Sequence, residues 1–128
     1  MIYLDTSVVL AYLLTEERSL PDAIWREPLI SSRLLEYEIW NRIHARGLAR
    51  SHGDEVRALI ARVALIELAP PVLARALEQF PVAVRTLDAL HLSSMEFLRT
   101  RRQTVVLASF DERLLAGARA LGISIYQP

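Results

Sequence analysis

The chain has 128 residues, 52% of them hydrophobic, with fifteen acidic side chains, fifteen arginines and a formal net charge of zero. This length and composition predict one folded domain over residues 1–128 and exclude a disordered chain. Because cysteine and lysine are absent, disulfides, thiolate zinc sites and Schiff-base chemistry are excluded as well. The balanced charge argues against nucleic-acid binding by bulk positive charge alone.

The sequence predicts neither a secretory signal nor a membrane span. Asp5 interrupts the apolar start, and no basic segment precedes it. The longest apolar run, residues 8–14, is too short to cross a bilayer. We therefore expect a cytoplasmic protein with no membrane partner.

Short apolar runs alternate along the chain with segments of helical spacing. In chain order, the predicted elements are a strand at 1–4, a helix at 8–13, a helical segment at 20–25, a strand at 29–30, a helix at 34–46, a helix at 53–63, a strand at 65–68, helices at 71–79 and 84–101, a strand at 104–108, a helix at 111–121 and a strand at 123–126. Near-continuous apolar strands are typical of a parallel sheet with helices on both faces. We therefore predict an α/β fold, a three-layer α/β/α sandwich with short, mainly parallel strands.

Candidate functional residues follow from this arrangement, because functional groups of a parallel sheet collect beyond the carboxyl ends of its strands. Asp5 follows the first strand, and Ser109 and Asp111 follow the strand at 104–108. Glu38 and Asp88 lie on predicted helices. Three of the five aspartates in the chain belong to this set.

Each candidate carboxylate also has a purely local explanation. Asp5 and Asp111 are equally well placed as helix N-caps, and Glu38 is spaced to pair with an arginine four residues later. Asp88 lies among apolar residues, where a buried carboxylate needs a partner. His91 is either a metal ligand next to Asp88 or a hydrogen-bonded core histidine, and the second interpretation is favoured.

Taken together, the carboxylates predict a metal site. Carboxylates that converge with no lysine or histidine between them repel one another, and a divalent cation removes that repulsion. Oxygen ligands select hard ions such as Mg²⁺ or Mn²⁺. Such ions activate water and stabilise charge on a phosphoryl group, so phosphodiester hydrolysis is the chemistry that this set favours.

Four segments resemble a known family, in the expected order and over essentially the whole chain. They are LDTSVVLAYL at 4–13, ISSRLLEYEIWNRI at 30–43, RTLDALHLSS at 85–94 and ASFDERLLAGARALGI at 108–123. The family is the PIN-domain ribonucleases, and within it the VapC toxins of bacterial toxin–antitoxin pairs. The resemblance implies a PIN-like fold over residues 1–128.

Carried over position by position, the resemblance implies that Mg²⁺ or Mn²⁺ is held by four catalytic carboxylates, at Asp5, Glu38, Asp88 and Asp111. It also implies hydroxyls that orient these carboxylates, at Thr6, Ser7 and Ser109. Glu36 is the rival of Glu38, but helical geometry puts the two on different faces, and Glu38 is preferred. Glu112 is a further candidate carboxylate.

The resemblance implies an endoribonuclease that acts on RNA, forms a homodimer and binds a cognate VapB-like antitoxin. Arg42 and Arg46 follow Glu38 and are candidates for RNA binding. Trp25 and Trp40 are candidates for stacking on bases or on a partner, although burial is the commoner fate of such residues. The alternative function is a catalytically silent PIN-like module that binds RNA or protein.

Overall fold

Five short parallel strands lie at the centre of the computed structural model, which describes residues 1–128. The strands are β1 (Ile2–Leu4), β2 (Leu29–Ser32), β3 (Val63–Ile66), β4 (Val106–Ala108) and β5 (Ser124–Ile125). The helices are α1 (Thr6–Leu13), α2 (Leu34–Ala45), α3 (Ala49–Ile60), α4 (Pro70–Ala76), α5 (Thr86–Thr100) and α6 (Glu112–Ala120), with a 3-10 helix at Asp22–Arg26. The predicted three-layer α/β/α fold with a parallel sheet is confirmed.

The order of the strands places β1 at the middle of the sheet. The order is β3-β2-β1-β4-β5, and every neighbouring pair is parallel. The chain therefore builds one half of the sheet outward from β1, then returns to the other side of β1 as β4 and β5. Ligands of such sheets bind outside the carboxyl ends of the strands where this reversal occurs. Here that point lies between β1 and β4.

Alternation along β1 divides the interior into two cores. Ile2 and Leu4 belong to the core that the sheet shares with α1, α2 and α3, while Tyr3 belongs to the core shared with α5 and α6. Successive side chains of a strand point to opposite faces, which accounts for this division. All three residues are buried, so β1 is fixed from both sides.

Several element boundaries differ from the sequence-based expectation, among them those of α3 and β3. Helix α3 begins at Ala49, so the expected start at Gly53 is wrong, and Gly53 lies inside the helix close to Trp40. Strand β3 begins at Val63, because this residue pairs with Leu29 in the parallel ladder rather than continuing the helix before it. Local patterns cannot show either tertiary contact. None of the helices is long and apolar enough to cross a membrane.

The two helical glycines of the structure predict opposite effects on stability. A Cβ atom on Gly117 of α6 would lie 2.7 Å from Cδ1 of the fully buried Leu92, whereas one on Gly53 would meet the flexible Arg57 guanidinium at 3.2 Å. Overpacking costs about 1–3 kcal/mol, and helix propensity favours alanine over glycine by about 1 kcal/mol. We expect Gly117→Ala to lower the free energy of unfolding by about 1 kcal/mol.

The matched change Gly53→Ala should raise the free energy of unfolding by about 0.5–1 kcal/mol, since only propensity changes there. Urea unfolding followed by circular dichroism measures both values. A Gly117→Ala protein as stable as Gly53→Ala would show that the Leu92 side chain moves aside without lowering the free energy of unfolding.

Candidate active site

Asp5 lies between the ends of β1 and β4 and is held by both. Its Oδ2 atom accepts hydrogen bonds from Ser7 Oγ at 2.6 Å, from Ser109 Oγ at 2.8 Å and from the Ser7 N–H at 3.4 Å. Ser7 Oγ in turn accepts the Phe110 N–H at 2.9 Å. Asp5 is also the N-cap of α1. It therefore both caps a helix and lies with the candidate functional groups beyond the strand ends. Its Oδ1 atom has no protein donor.

Glu38 projects from α2 into the same region. Its Oε1 atom accepts a hydrogen bond from Thr6 Oγ1 at 3.1 Å and forms a second hydrogen bond with His91 Nε2 at 2.6 Å. No ion pair with Arg42 forms, although the sequence spacing allowed one. Like Asp5, Glu38 therefore uses one carboxylate oxygen for protein contacts, and Oε2 has no protein donor.

Glu36, the alternative candidate to Glu38, lies away from the cleft. Glu36 lies 3.8 Å from the Arg33 guanidinium on the surface and does not line the cleft that contains Glu38. The two glutamates are two residues apart in α2, so their side chains leave the helix in different directions. This geometry agrees with the preference for Glu38.

Asp111 is the N-cap of α6. Its Oδ1 atom accepts the backbone N–H groups of Arg113 at 2.9 Å and Leu114 at 3.3 Å, and its own N–H donates to Ser109 Oγ at 2.9 Å. Ser109 therefore contacts Asp5 with its proton and Asp111 with its lone pair. Capping a helix N-terminus with a carboxylate is favourable, and Oδ2 has no protein donor.

Asp88 is the fourth carboxylate and the most unfavourably placed. It lies in the first turn of α5 and is 8% exposed. Burial raises the pKa of Asp88 above its ordinary value, and the negative charges of Asp111 and Asp5 raise it further, while the Arg85 backbone N–H acts in the opposite direction. The charges of Asp111 and Asp5 thus disfavour the ionised form of Asp88.

All four carboxylates line one open cleft of about 610 Å³ at the carboxyl ends of β1 and β4. Glu112 lines it as well. The donor set consists of carboxylate oxygens, and three of the carboxylates keep one oxygen free of protein donors. No three histidine or acidic side chains are arranged to hold one ion in this structure. The chemistry of the set fits a hard divalent cation.

Comparison with known proteins places the chain in a family. Residues 2–120 match the model of the PIN domain family. The chain is 31% identical to ribonuclease VapC46 of Mycobacterium tuberculosis strain H37Rv over 133 residues, which cover 99% of this chain and 97% of that protein. The chain belongs to the PIN domain family and is of the VapC type. Ribonuclease VapC47 of M. tuberculosis strain CDC 1551 is 28% identical to this PIN domain, over 100% of this chain and 97% of the relative.

A solved structure has the same fold as this PIN domain. The crystal structure of M. tuberculosis VapC20, described as a toxin that cleaves the sarcin-ricin loop, superposes with a TM-score of 0.69 at 17% identity over 100% of both chains. At this identity the likeness establishes the fold alone.

Three arginines line the cleft of the PIN domain together with the carboxylates: Arg42, Arg85 and Arg113. None of them forms a salt bridge within the chain. Arg42 was a sequence-based candidate for RNA binding, but Arg46 does not line the cleft. Sequence reasoning missed Arg85 and Arg113. The sequence feature that could have identified them was their position close to Asp88 and Asp111.

The tryptophans take no part in the cleft of the PIN domain. Trp25 is 7% exposed in the core that the sheet shares with α1, α2 and α3, and Trp40 packs beside that core. The Trp40 ring stacks on His44 with a centroid distance of 5.6 Å and lies 5.3 Å from the Arg57 guanidinium carbon. Trp25 is thus buried, whereas Trp40 is half-buried beside the core.

The raised pKa of Asp88 predicts that its carboxylate lowers the stability of the metal-free PIN domain. Between the ordinary pKa and the raised one, the folded state holds more protons than the unfolded state, so stability falls as pH rises through this window. In EDTA at pH 7, we expect Asp88→Asn to raise the free energy of unfolding by about 1 kcal/mol. The gain should disappear below pH of about 4.

The control is Asp54→Asn, since Asp54 is fully exposed on α3. This change should alter stability by less than about 0.5 kcal/mol. Urea unfolding at several pH values measures both proteins. Equal stability of Asp88→Asn and wild type at pH 7 would contradict an electrostatic cost at Asp88.

Proposed function

We propose that the chain, as one PIN domain over residues 1–128, is a metal-dependent endoribonuclease and the toxin of a toxin–antitoxin pair. Four carboxylates, at Asp5, Glu38, Asp88 and Asp111, share one cleft at the carboxyl ends of the central strands. This observation carries the proposal. The names of the VapC ribonuclease relatives support RNA as the substrate. We also propose a cytoplasmic location, where such a substrate is present.

The four carboxylates would hold Mg²⁺ or Mn²⁺. A hard divalent cation supplies an acidified water and stabilises the charge that develops on a phosphoryl group. The chain itself orients the ligands: Ser7 and Ser109 hold Asp5, and Thr6 holds Glu38. Because these contacts occupy one oxygen of each carboxylate, the other oxygen stays available to the ion. Glu112 is a further carboxylate in reach of the cleft.

The arginines of the cleft would bind the RNA backbone. Arg42, Arg85 and Arg113 have no acidic partner within the chain, so their guanidinium groups are available to phosphate oxygens. The planar guanidinium fork suits bidentate contact with phosphate. Arg46, exposed after the end of α2, is proposed as an outer contact.

The proposed homodimer has a candidate surface away from the carboxylates. A groove of about 760 Å³ between α4 and α5 is lined mainly by hydrophobic side chains. Among them, Leu73 is 42% exposed, Leu77 91% and Val82 39%. Exposed apolar patches of this kind mark protein contacts. We propose that a second copy of the chain covers the groove, and that a VapB-like antitoxin binds near the cleft.

A silent PIN-like module that binds RNA or protein is the second candidate. It is favoured by the absence of any three side chains already arranged to hold one ion. The four carboxylates argue against it, because a module that binds no metal gains nothing from the charge repulsion at Asp88.

Glu38→Gln and Glu36→Gln are a matched pair that tests the enzyme. Both changes lie in α2 and remove one charge, but only Glu38 lines the cleft. We expect Glu38→Gln to lower the rate of RNA cleavage about 10²- to 10³-fold, as for loss of a group that stabilises the transition state. Glu36→Gln should cleave like wild type. Cleavage of total RNA with Mg²⁺ or Mn²⁺ measures the rates, and calorimetry measures Mn²⁺ binding.

Equal cleavage by wild type and Glu38→Gln would contradict the proposed site. Wild-type protein that binds no Mn²⁺ at millimolar concentration and cleaves no RNA would favour the silent module.

The dimer proposal predicts that Leu77→Glu dissociates the protein, because it places a charge in the apolar groove. Light scattering should give twice the 14.5 kDa chain mass for wild type and a single chain mass for the variant. The control is Tyr37→Glu, since Tyr37 is 67% exposed and lies outside the groove. A dimer that survives Leu77→Glu would exclude this groove as the interface.

A further inference from the structure

A chain of hydrogen bonds runs from the core of the sheet to the acidic cleft. Tyr3 Oη lies 2.7 Å from His91 Nδ1, and His91 Nε2 lies 2.6 Å from Glu38 Oε1. Tyr3 belongs to β1, His91 to α5 and Glu38 to α2, so the chain links the sheet with the helical layers on both of its faces. Tyr3 is 0% exposed and His91 2% exposed.

The positions of the protons in these two hydrogen bonds follow from the chemistry of Glu38 at one end and Tyr3 at the other. An ionised Glu38 only accepts, so Nε2 carries the proton in the bond to Oε1. Burial raises the pKa of the Tyr3 phenol, which therefore keeps its proton. Tyr3 then donates to Nδ1 and His91 donates through Nε2, so that each of the two hydrogen bonds contains one proton. The rings of Tyr3 and His91 also pack edge to face, at a centroid distance of 5.8 Å.

His91 is therefore not available as a metal ligand in this arrangement. Both of its ring nitrogens are engaged, one by Tyr3 and one by Glu38. The favoured sequence-based interpretation, a hydrogen-bonded core histidine, describes its burial, but its second partner is a carboxylate of the cleft. A buried polar group that bonds a candidate ligand fixes the direction of that ligand.

We propose that His91, held by Tyr3, is a positioning residue that holds Glu38 by Oε1, which would leave Oε2 free for a divalent cation in the cleft. This inference rests on the proposed function, because it assigns Glu38 a ligand role. Glu38 Oε1 has two donors, Thr6 Oγ1 and His91 Nε2, and the bond to His91 is shorter by 0.5 Å. Since His91 lies one turn after Asp88 in α5, the same contact also ties the helix of Asp88 to the helix of Glu38.

Four variants separate positioning from general packing. His91→Leu removes both hydrogen bonds, and His91→Gln restores a donor near the position of Nε2. Tyr3→Phe keeps the ring but removes the hydroxyl that fixes Nδ1. The control is Ser93→Ala, since Ser93 is fully buried in the same helix and its hydroxyl has no partner.

The first measurement is the affinity for Mn²⁺ without RNA, by calorimetry. We expect His91→Leu to weaken Mn²⁺ binding about 10- to 100-fold, the usual effect of losing a group that holds a metal ligand. His91→Gln should recover most of this loss, Tyr3→Phe should give an intermediate affinity, and Ser93→Ala should bind like wild type. A folded His91→Leu protein with wild-type affinity would overturn the proposal.

The second measurement is independent of metal and of cleavage. Nitrogen-15 spectra of the metal-free protein should show a slowly exchanging proton on Nε2 of His91 and none on Nδ1. Glu38→Gln should shift the Nε2 resonance, and Tyr3→Phe the Nδ1 resonance. A fast-exchanging Nε2 proton that ignores Glu38→Gln would overturn the proposal even if His91→Leu failed to fold.

The two proposals fail in different ways. If wild type neither binds Mn²⁺ nor cleaves RNA, the proposed enzyme is wrong, and with it any role of His91 toward a metal. If wild type binds and cleaves while His91→Leu and Tyr3→Phe do the same at wild-type levels, only the positioning role is wrong.

Discussion

The contacts of Asp5 set the position of everything else in the cleft. Its Oδ2 atom accepts two serine hydroxyls, one from the start of α1 and one from the residue after β4. Because Ser109 also accepts the Asp111 N–H, one short network fixes the ends of two strands and the start of α6. The buried β1, packed from both faces, holds this network in place. The result is an acidic cleft at the point where the strand order reverses, between β1 and β4.

The cluster has an energetic cost that the fold must offset. Burial and the charges of Asp111 and Asp5 raise the pKa of Asp88, so ionising Asp88 costs stability in the absence of a cation. Protein donors partly compensate, but they engage only one oxygen each of Asp5, Glu38 and Asp111. Full satisfaction of both oxygens would stabilise the chain and close the site to a ligand. Stability and function therefore compete at these residues.

Sequence patterns predicted the parallel sheet and the helices, because each depends on local spacing, whereas the full set of four carboxylates came from the family resemblance. Asp5 and Asp111 were accessible to this reasoning since each follows a strand and caps a helix. The bond between His91 and Glu38 was not, because 53 residues separate the two and their helices lie on opposite faces of the sheet. The start of β3 was misplaced for the same reason, since its register depends on β2. Contacts distant in sequence leave no periodic signal.

The zero net charge of the chain conceals a concentration of charged side chains in the cleft. The cleft is lined by five carboxylates and three guanidinium groups, which leaves its formal charge at minus two. Under the proposed function, one bound divalent cation would bring this charge to zero. The same ion would remove the repulsion that a phosphate meets at an acidic surface. The arginines, which lack acidic partners, would then be available to the RNA backbone.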